Sequence, residues 1–273
     1  SRVSQSYRRR LNLSKDTLKI AGKFFSSRLL VGTGKYENKD IAVQAIEASE
    51  AEIVTVAIRR VELDKRLRSE PILNYISPKK YTILPNTAGC FNAKEAIRIA
   101  RLGREILDGK NLLKLEVLKD KETLLPLMDE TLLAAKELVK DGFEIMVYCT
   151  DELEYALKLE EIGCVAIMPL AAPIGSGQGI VNPDAINSIV EKISQPVIID
   201  AGIGTASEVT VAMEMGCDGV LLNTAIAKAK KPTLMAEAMK EAARSGRKSF
   251  LAGRMKTDLK ANPSSPMKGI VNS

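Results

Sequence analysis

Asn111-Leu112-Leu113-Lys114-Leu115-Glu116-Val117-Leu118 is a strand-length apolar run with one lysine and one glutamate inside it. Side chains on a strand alternate faces, so Lys114 and Glu116 share one face while Leu113, Leu115 and Val117 share the other. A continuous apolar run of this kind fits a strand covered on both sides, as in a parallel sheet packed by helices. Burying a lysine and a carboxylate on one face is costly unless they pair or do chemistry. A salt bridge at a strand end remains the simpler reading of these eight residues taken alone.

Outward from this stretch the chain repeats one two-stroke rhythm. Runs rich in Val, Ile and Leu alternate with amphipathic stretches of helical length, the pattern of strands joined by crossover helices. A small hairpin is expected first, Leu18–Ile20 with Lys23–Phe25 around Ala21-Gly22. Eight units come after it, with strands at 28–33, 53–58, 81–84, 112–117, 143–148, 165–168, 197–200 and 219–222. Their helices are expected at 38–49, 64–75, 93–107, 129–139, 151–161, 183–193, 206–215 and 233–245. Thr150 before Asp151-Glu152 reads as a capping hydroxyl, and Asn182-Pro183 as a cap followed by proline at the first helical position. Gly142, Gly163, Gly216 and Gly246 read as helix stops. Eight consecutive units over roughly 220–230 residues predict a closed (β/α)8 barrel, the TIM-barrel architecture, with an open doubly wound sheet as the alternative. The expected organisation is a basic, disordered N-terminal arm over 1–17, one barrel domain over 18–251 and an irregular tail over 252–273.

Composition narrows the chemistry. The 273 residues contain no histidine, which excludes Ser-His-Asp triads, Cys-His dyads and imidazole zinc sites. Proton transfer falls to Glu, Asp, Lys, Tyr, Cys or water. Tryptophan is absent and aromatics make up 4%, which argues against a base-stacking nucleic-acid platform. No apolar run is long enough to span a bilayer, so no membrane association is expected. Cys90, Cys149, Cys164 and Cys217 form no CxxC pair and read as reduced thiols. Of the net charge of +6, residues 1–17 hold +4 (Arg2, Arg8, Arg9, Arg10 and Lys15 against Asp16), leaving +2 on the body.

In a barrel the active site lies at the C-terminal ends of the strands and in the loops after them. Nearly every expected strand end carries polar or glycine-rich residues: Gly32-Thr33-Gly34-Lys35, Arg59-Arg60, Pro85 to Cys90, Lys114 with Glu116, Tyr148-Cys149-Thr150, Pro173 to Gly179, Asp200 to Thr205, and Asn223-Thr224-Ala225. Ala201-Gly202 and Asn223-Thr224, each before a helix in the seventh and eighth units, fit a phosphate cradle built from backbone amides. Gly32 to Tyr36 lacks the upstream glycine and the Ser/Thr of a P-loop, and Gly175 to Gly179 lacks the dinucleotide spacing. A lysine in a barrel mouth can attack a carbonyl and form an imine, with Glu116 and Asp200 as the proton shuttles. Structural salt bridging of Lys114 is the alternative.

These motifs together resemble bacterial and plastid thiazole synthases. The matching stretches are Arg28 to Tyr36, Ala51 to Arg60, Leu84 to Cys90, Lys114 to Val117, Met168 to Leu170, Ala172 to Gly177, Asp200 to Ala206 and Asp218 to Ile226. The resemblance implies a (β/α)8 barrel in which 1-deoxy-D-xylulose 5-phosphate forms an imine with Lys114. It implies sulfur from the C-terminal thiocarboxylate of a small ubiquitin-like carrier protein, and dehydroglycine delivered by a producing enzyme. Glu116 and Asp200 match the acid/base positions, and Gly175, Ala201, Gly202, Asn223 and Thr224 the sugar-phosphate contacts. It further implies no metal or organic cofactor, a homotetramer, and a location in the bacterial cytoplasm or in plastids. Lys119 and Ala171 stand where the family pattern has glycine, and the residues before Leu18 are extra to it. The alternatives are another imine-forming sugar-phosphate barrel, such as an aldolase or a pyridoxal-type synthase, and a non-enzymatic protein that binds an anionic partner through the arm.

Overall fold

The computed structural model describes residues 16–265. The chain opens with the hairpin β1 (Leu18–Ile20) and β2 (Lys23–Phe25), paired antiparallel. Its turn, Ala21-Gly22, has φ of 48° and 78°. Two successive positive φ values match the right-handed twist of the strands they join, as the short primed hairpin turns do. Leu18, Ile20 and Phe25 are buried against Leu30, Ile53, Leu84 and Met146, so the hairpin plugs the N-terminal end of a barrel.

Eight parallel strands close that barrel. They are β3 (Leu29–Val31), β4 (Ile53–Ala57), β5 (Thr82–Asn86), β6 (Leu112–Leu115), β7 (Glu144–Cys149), β8 (Ala166–Pro169), β9 (Ile198–Asp200) and β10 (Gly219–Leu222). Neighbours in sequence are neighbours in space, and β10 returns to pair with β3. Closure between β8 and β9 comes from the bridges Ile167 to Val197 and Leu170 to Asp200. All eight expected strands are present and the open-sheet alternative is excluded. The helices are α1 (Lys39–Ser49), α2 (Ile58–Leu67), α3 (Ile72–Tyr75), α4 (Ala93–Ile106), α5 (Met128–Lys140), α6 (Leu153–Ile162), α7 (Pro183–Lys192), α8 (Ala206–Glu214), α9 (Thr224–Ala227) and α10 (Pro232–Ala252). Strand side chains that face the helices, such as Val31, Val54, Val56 and Ile145, build the continuous apolar layer that holds the barrel together.

Several expected details differ, each for a physical reason. The second helix starts at Ile58, not at Asp64, because the chain turns from β4 directly into α2 behind Ala57, which makes no side-chain cap. Arg59 and Arg60 therefore sit in a first helical turn, not in a loop. Thr150 does not cap α6: Glu152 occupies the cap position without a side-chain bond, and the Thr150 hydroxyl is buried without a partner. Asn182 likewise makes no side-chain cap, although Pro183 does open α7. Gly246 stops no helix. It lies inside α10, where an added Cβ would stand 2.6 Å from the Thr210 carbonyl oxygen, so it permits α10 to cross α8 closely. Lys119 and Ala171 are absent from the positive-φ residues, so neither position requires glycine.

The four cysteines are free and buried. Among the described residues no helix is long and apolar enough to cross a membrane. The basic arm expected over 1–17 lies outside the described residues up to position 15. Asp16 is described and pairs with Arg28 and Arg247. Positions 253–265 carry neither helix nor strand, and the rest of the expected tail, 266–273, lies outside the described residues.

Candidate active site

β6 is short. Its last hydrogen-bonded pair with β5 joins Asn86 to Lys114, after which β5 turns away at Thr87. The alternation read from the sequence holds: Lys114 and Glu116 both point into the barrel mouth, and Lys114 Nζ donates to Glu116 Oε2 at 3.1 Å. Closure of the barrel brings Asp200, the last residue of β9, to the other side of the same amine, with Oδ2 2.8 Å from Lys114 Nζ. All three side chains are buried, each residue 5% exposed. The ring of Tyr148, at the end of β7, lies 5.4 Å from Lys114 Nζ and adds a cation–π contact. Its hydroxyl donates to the Leu124 carbonyl at 3.3 Å. Tyr148 packs with Leu118 and Leu170 into an apolar patch that keeps water from that flank of the lysine.

These contacts decide the resting charge. Burial alone would lower the proton affinity of Lys114, but the charges of Asp200 and Glu116 outweigh it and hold the ammonium above the usual lysine range. Asp200 is shifted up: burial disfavours its charged form, Glu116 adds to the effect, and Lys114 opposes both. Its Oδ2 has no aligned hydrogen-bond donor despite the close approach of the amine. The nearest group able to take a proton from Lys114 is therefore a carboxylate already raised in proton affinity.

A cavity of about 440 Å³ opens directly on this cluster. All eight residues singled out from the sequence line it: Lys114, Glu116 and Asp200 with Gly175, Ala201, Gly202, Asn223 and Thr224. The turn after β9 is built for close approach. Ala201 and Gly202 have φ of 67° and 90°. A Cβ on Gly202 would meet the Ala172 nitrogen at 2.3 Å. The amides just before α8 are already engaged, since Gly204 N and Thr205 N donate to Glu208 Oε2. The cavity is lined by Gly175, Gly177, Ala201, Gly202 and the Asn223–Ala225 turn. Asn223 stands against Gly32, where a Cβ would come within 2.7 Å of the asparagine Cβ. The Gly32-Thr33-Gly34 turn, which is no P-loop, thus makes room for Asn223.

Sequence reading missed one residue at the site and assigned no role to two others it had noted at strand ends. Lys228, at the end of α9, is an exposed cation lining the cavity, and nothing upstream marks that short helix. Tyr148 was noted at the polar end of its strand but given no contact with Lys114. Asn86 lines the cavity, and its Oδ1 accepts from Ala88 N at 3.0 Å. Among the described residues no group of three or more Cys, Asp or Glu side chains is arranged to hold a metal ion.

Known proteins share both the sequence and the barrel. Residues 19–266 match the family model described as thiazole biosynthesis protein ThiG. A thiazole synthase of Methylobacillus flagellatus is 56% identical over 257 residues, spanning 94% of this chain and 99% of that one. One of Maricaulis maris is 59% identical over 255 residues, spanning 93% and 94%. Among solved structures, the Amycolatopsis orientalis BexX/CysO complex aligns with a TM-score of 0.79 at 34% identity, covering 89% of this chain and 98% of that one. A thiamine phosphate pyrophosphorylase from Pyrococcus furiosus, at 15% identity and a TM-score of 0.54 over 80% of this chain and 95% of that one, shares the fold alone. The chain belongs to the thiazole synthase family.

Proposed function

We propose that this barrel makes the thiazole phosphate of thiamine by imine chemistry at Lys114. The observation that carries the reading is the buried amine held between two carboxylates on the wall of a glycine-lined cavity. 1-Deoxy-D-xylulose 5-phosphate enters with its phosphate on the turns at Gly175, Ala201-Gly202 and Asn223-Thr224, near Lys228. Asp200 accepts a proton from the Lys114 ammonium, the freed amine attacks the ketone carbon, and water leaves as the imine forms. Glu116 and Asp200 then move protons at the neighbouring carbons. Sulfur arrives from the thiocarboxylate of a ubiquitin-like carrier, dehydroglycine supplies carbon and nitrogen, and loss of water closes the ring.

The solved complex of the 34% identical BexX with a second protein, CysO, supports a protein partner for this chain. A homotetramer is part of the same reading, supported by exposed Leu63 and Leu67 on α2, Leu133 on α5 and Leu157 on α6. So is a location in the cytoplasm or in a plastid. The test is borohydride trapping with 1-deoxy-D-xylulose 5-phosphate, followed by peptide mapping. The expected result is a reduced adduct on Lys114, absent from Lys114→Ala. No adduct, or an undiminished one in Lys114→Ala, overturns the mechanism. Thiazole formation without a thiocarboxylate donor would overturn the carrier.

A further inference from the structure

Glu116 sits where its strand has lost its neighbour. In a parallel sheet one residue sends both its N–H and its C=O to the same adjacent strand. For Glu116 that strand would be β5, but β5 ends at Asn86 and the chain turns through Thr87-Ala88-Gly89-Cys90, with Cys90 N donating to the Thr87 carbonyl at 3.3 Å and Gly89 at φ 83°. No backbone group of β5 is left to receive Glu116. A side chain takes both bonds instead. Thr87 Oγ1 accepts from Glu116 N at 2.8 Å and donates to the Glu116 carbonyl at 2.8 Å. Thr87 N also donates to the Lys114 carbonyl at 3.2 Å. Thr87 is fully buried.

We propose that Thr87 is a positioning residue for the chemistry of Lys114, its hydroxyl serving as a one-atom rung that holds Glu116 extended and its carboxylate on the amine. The proposal rests on the reading of Lys114 as the imine former. Thr87 lies outside the cavity lining and touches no substrate-facing atom, so its effect runs through the backbone of Glu116. Without the rung, the N–H and C=O of Glu116 lose both partners, and the carboxylate can turn off Lys114 between the bonds that still hold the Lys114 carbonyl and Leu118 N. A displacement of about 1 Å at a reacting group can cost about 100-fold in rate.

A matched control exists at the other end of the molecule. Ser49, also buried, donates to the Ile46 carbonyl at 2.6 Å and accepts from Ala51 N at 3.1 Å, far from the mouth. The experiment measures borohydride trapping of 1-deoxy-D-xylulose 5-phosphate as a function of its concentration, alongside melting, for Thr87→Val, Thr87→Ser and Ser49→Ala. In Thr87→Val the maximal trapping rate falls by about 10- to 100-fold, while the half-saturating concentration stays within about three-fold because the phosphate turns are intact. Thr87→Ser keeps the hydroxyl and stays within about three-fold of wild type. Ser49→Ala lowers the melting temperature and leaves trapping unchanged. Should Thr87→Val not fold, Thr87→Ala against Thr87→Ser carries the same comparison.

Three results overturn the assignment: an unchanged maximal rate in folded Thr87→Val, a serine variant as impaired as the valine one, or an equal rate loss in Ser49→Ala. Absence of any adduct in the wild-type protein is a separate failure. It removes the imine reading and the role of Thr87 with it.

Discussion

The two ends of the barrel carry ionic clusters of opposite composition, buried at the mouth and open to solvent on the aspartate at the plugged end. At the mouth one cation, Lys114, stands between two carboxylates, Glu116 and Asp200. At the plugged end one carboxylate, Asp16, stands between two guanidiniums: its Oδ1 lies 2.7 Å from Arg28 Nη2 and 2.8 Å from Arg247 Nη2. Arg28 Nη1 also donates to the Asp218 carbonyl at 2.8 Å. The mouth opens on about 440 Å³ and the plugged end on about 120 Å³. What separates chemistry from scaffolding here is the ability to lose a proton. A guanidinium does not give one up in a protein, so the two cations of the Asp16 cluster hold their charge and the cluster serves as a clasp between β3 and α10. An amine between two carboxylates has an alternative state, with the proton on a neighbour and the nitrogen free to attack.

Substitutions that exchange these properties test the contrast. Lys114→Arg keeps the cation and removes the transferable proton, so the protein stays folded by circular dichroism while thiazole formation falls by at least about 1000-fold. Retention of a tenth of the activity would remove the distinction. A smaller effect, on stability alone, is expected for Asp16→Asn. Burial pushes the Asp16 carboxyl up, but the Arg247 and Arg28 guanidiniums outweigh burial and hold it below its ordinary value of 3.8. A depressed folded-state value contributes stability above the unfolded one, and that contribution is lost as pH falls through the folded one. Asp16→Asn therefore costs about 1 kcal/mol at neutral pH, because the aspartate faces solvent and its pairing with the two guanidiniums is screened. In denaturant titrations the gap to wild type should close below about pH 4. A gap that persists unchanged at pH 3 would show that packing, not charge, makes the clasp. The smallest effect belongs to Arg28→Lys, which keeps the charge and loses the planar fork. It lowers stability by less than Asp16→Asn does and leaves turnover within about two-fold. A large loss of turnover would mean that the plugged end communicates with the mouth.

The barrel was readable from sequence because strands buried on both faces leave uninterrupted apolar runs, and eight of them in strict alternation with helices admit few architectures. The Lys114–Glu116 pairing was readable for an equally simple reason, the two-residue period of a strand. Asp200 was placed by its position at a strand end, but its 2.8 Å approach to Lys114 is a product of closure across β7 and β8 and has no local signature. Other features left no trace in the residues themselves. α2 begins without a capping side chain, so Arg59 and Arg60 read as a loop. Gly246 carries the residue type of a helix stop and does a packing task within α10. Thr87 looked like one more small residue in a polar strand end, because a hydroxyl standing in for a missing strand is defined only by where the neighbouring strand stops.

The grip on Lys114 also fixes how this lysine meets reagents. Amine-directed labels react with neutral, accessible amines. Lys114 is buried, held as ammonium and walled by Tyr148, Glu116 and Asp200. A survey that ranked the described lysines by their rate of labelling in the resting protein would place Lys114 last, and on the proposed mechanism only a carbonyl compound that seats in the cavity would reverse the order.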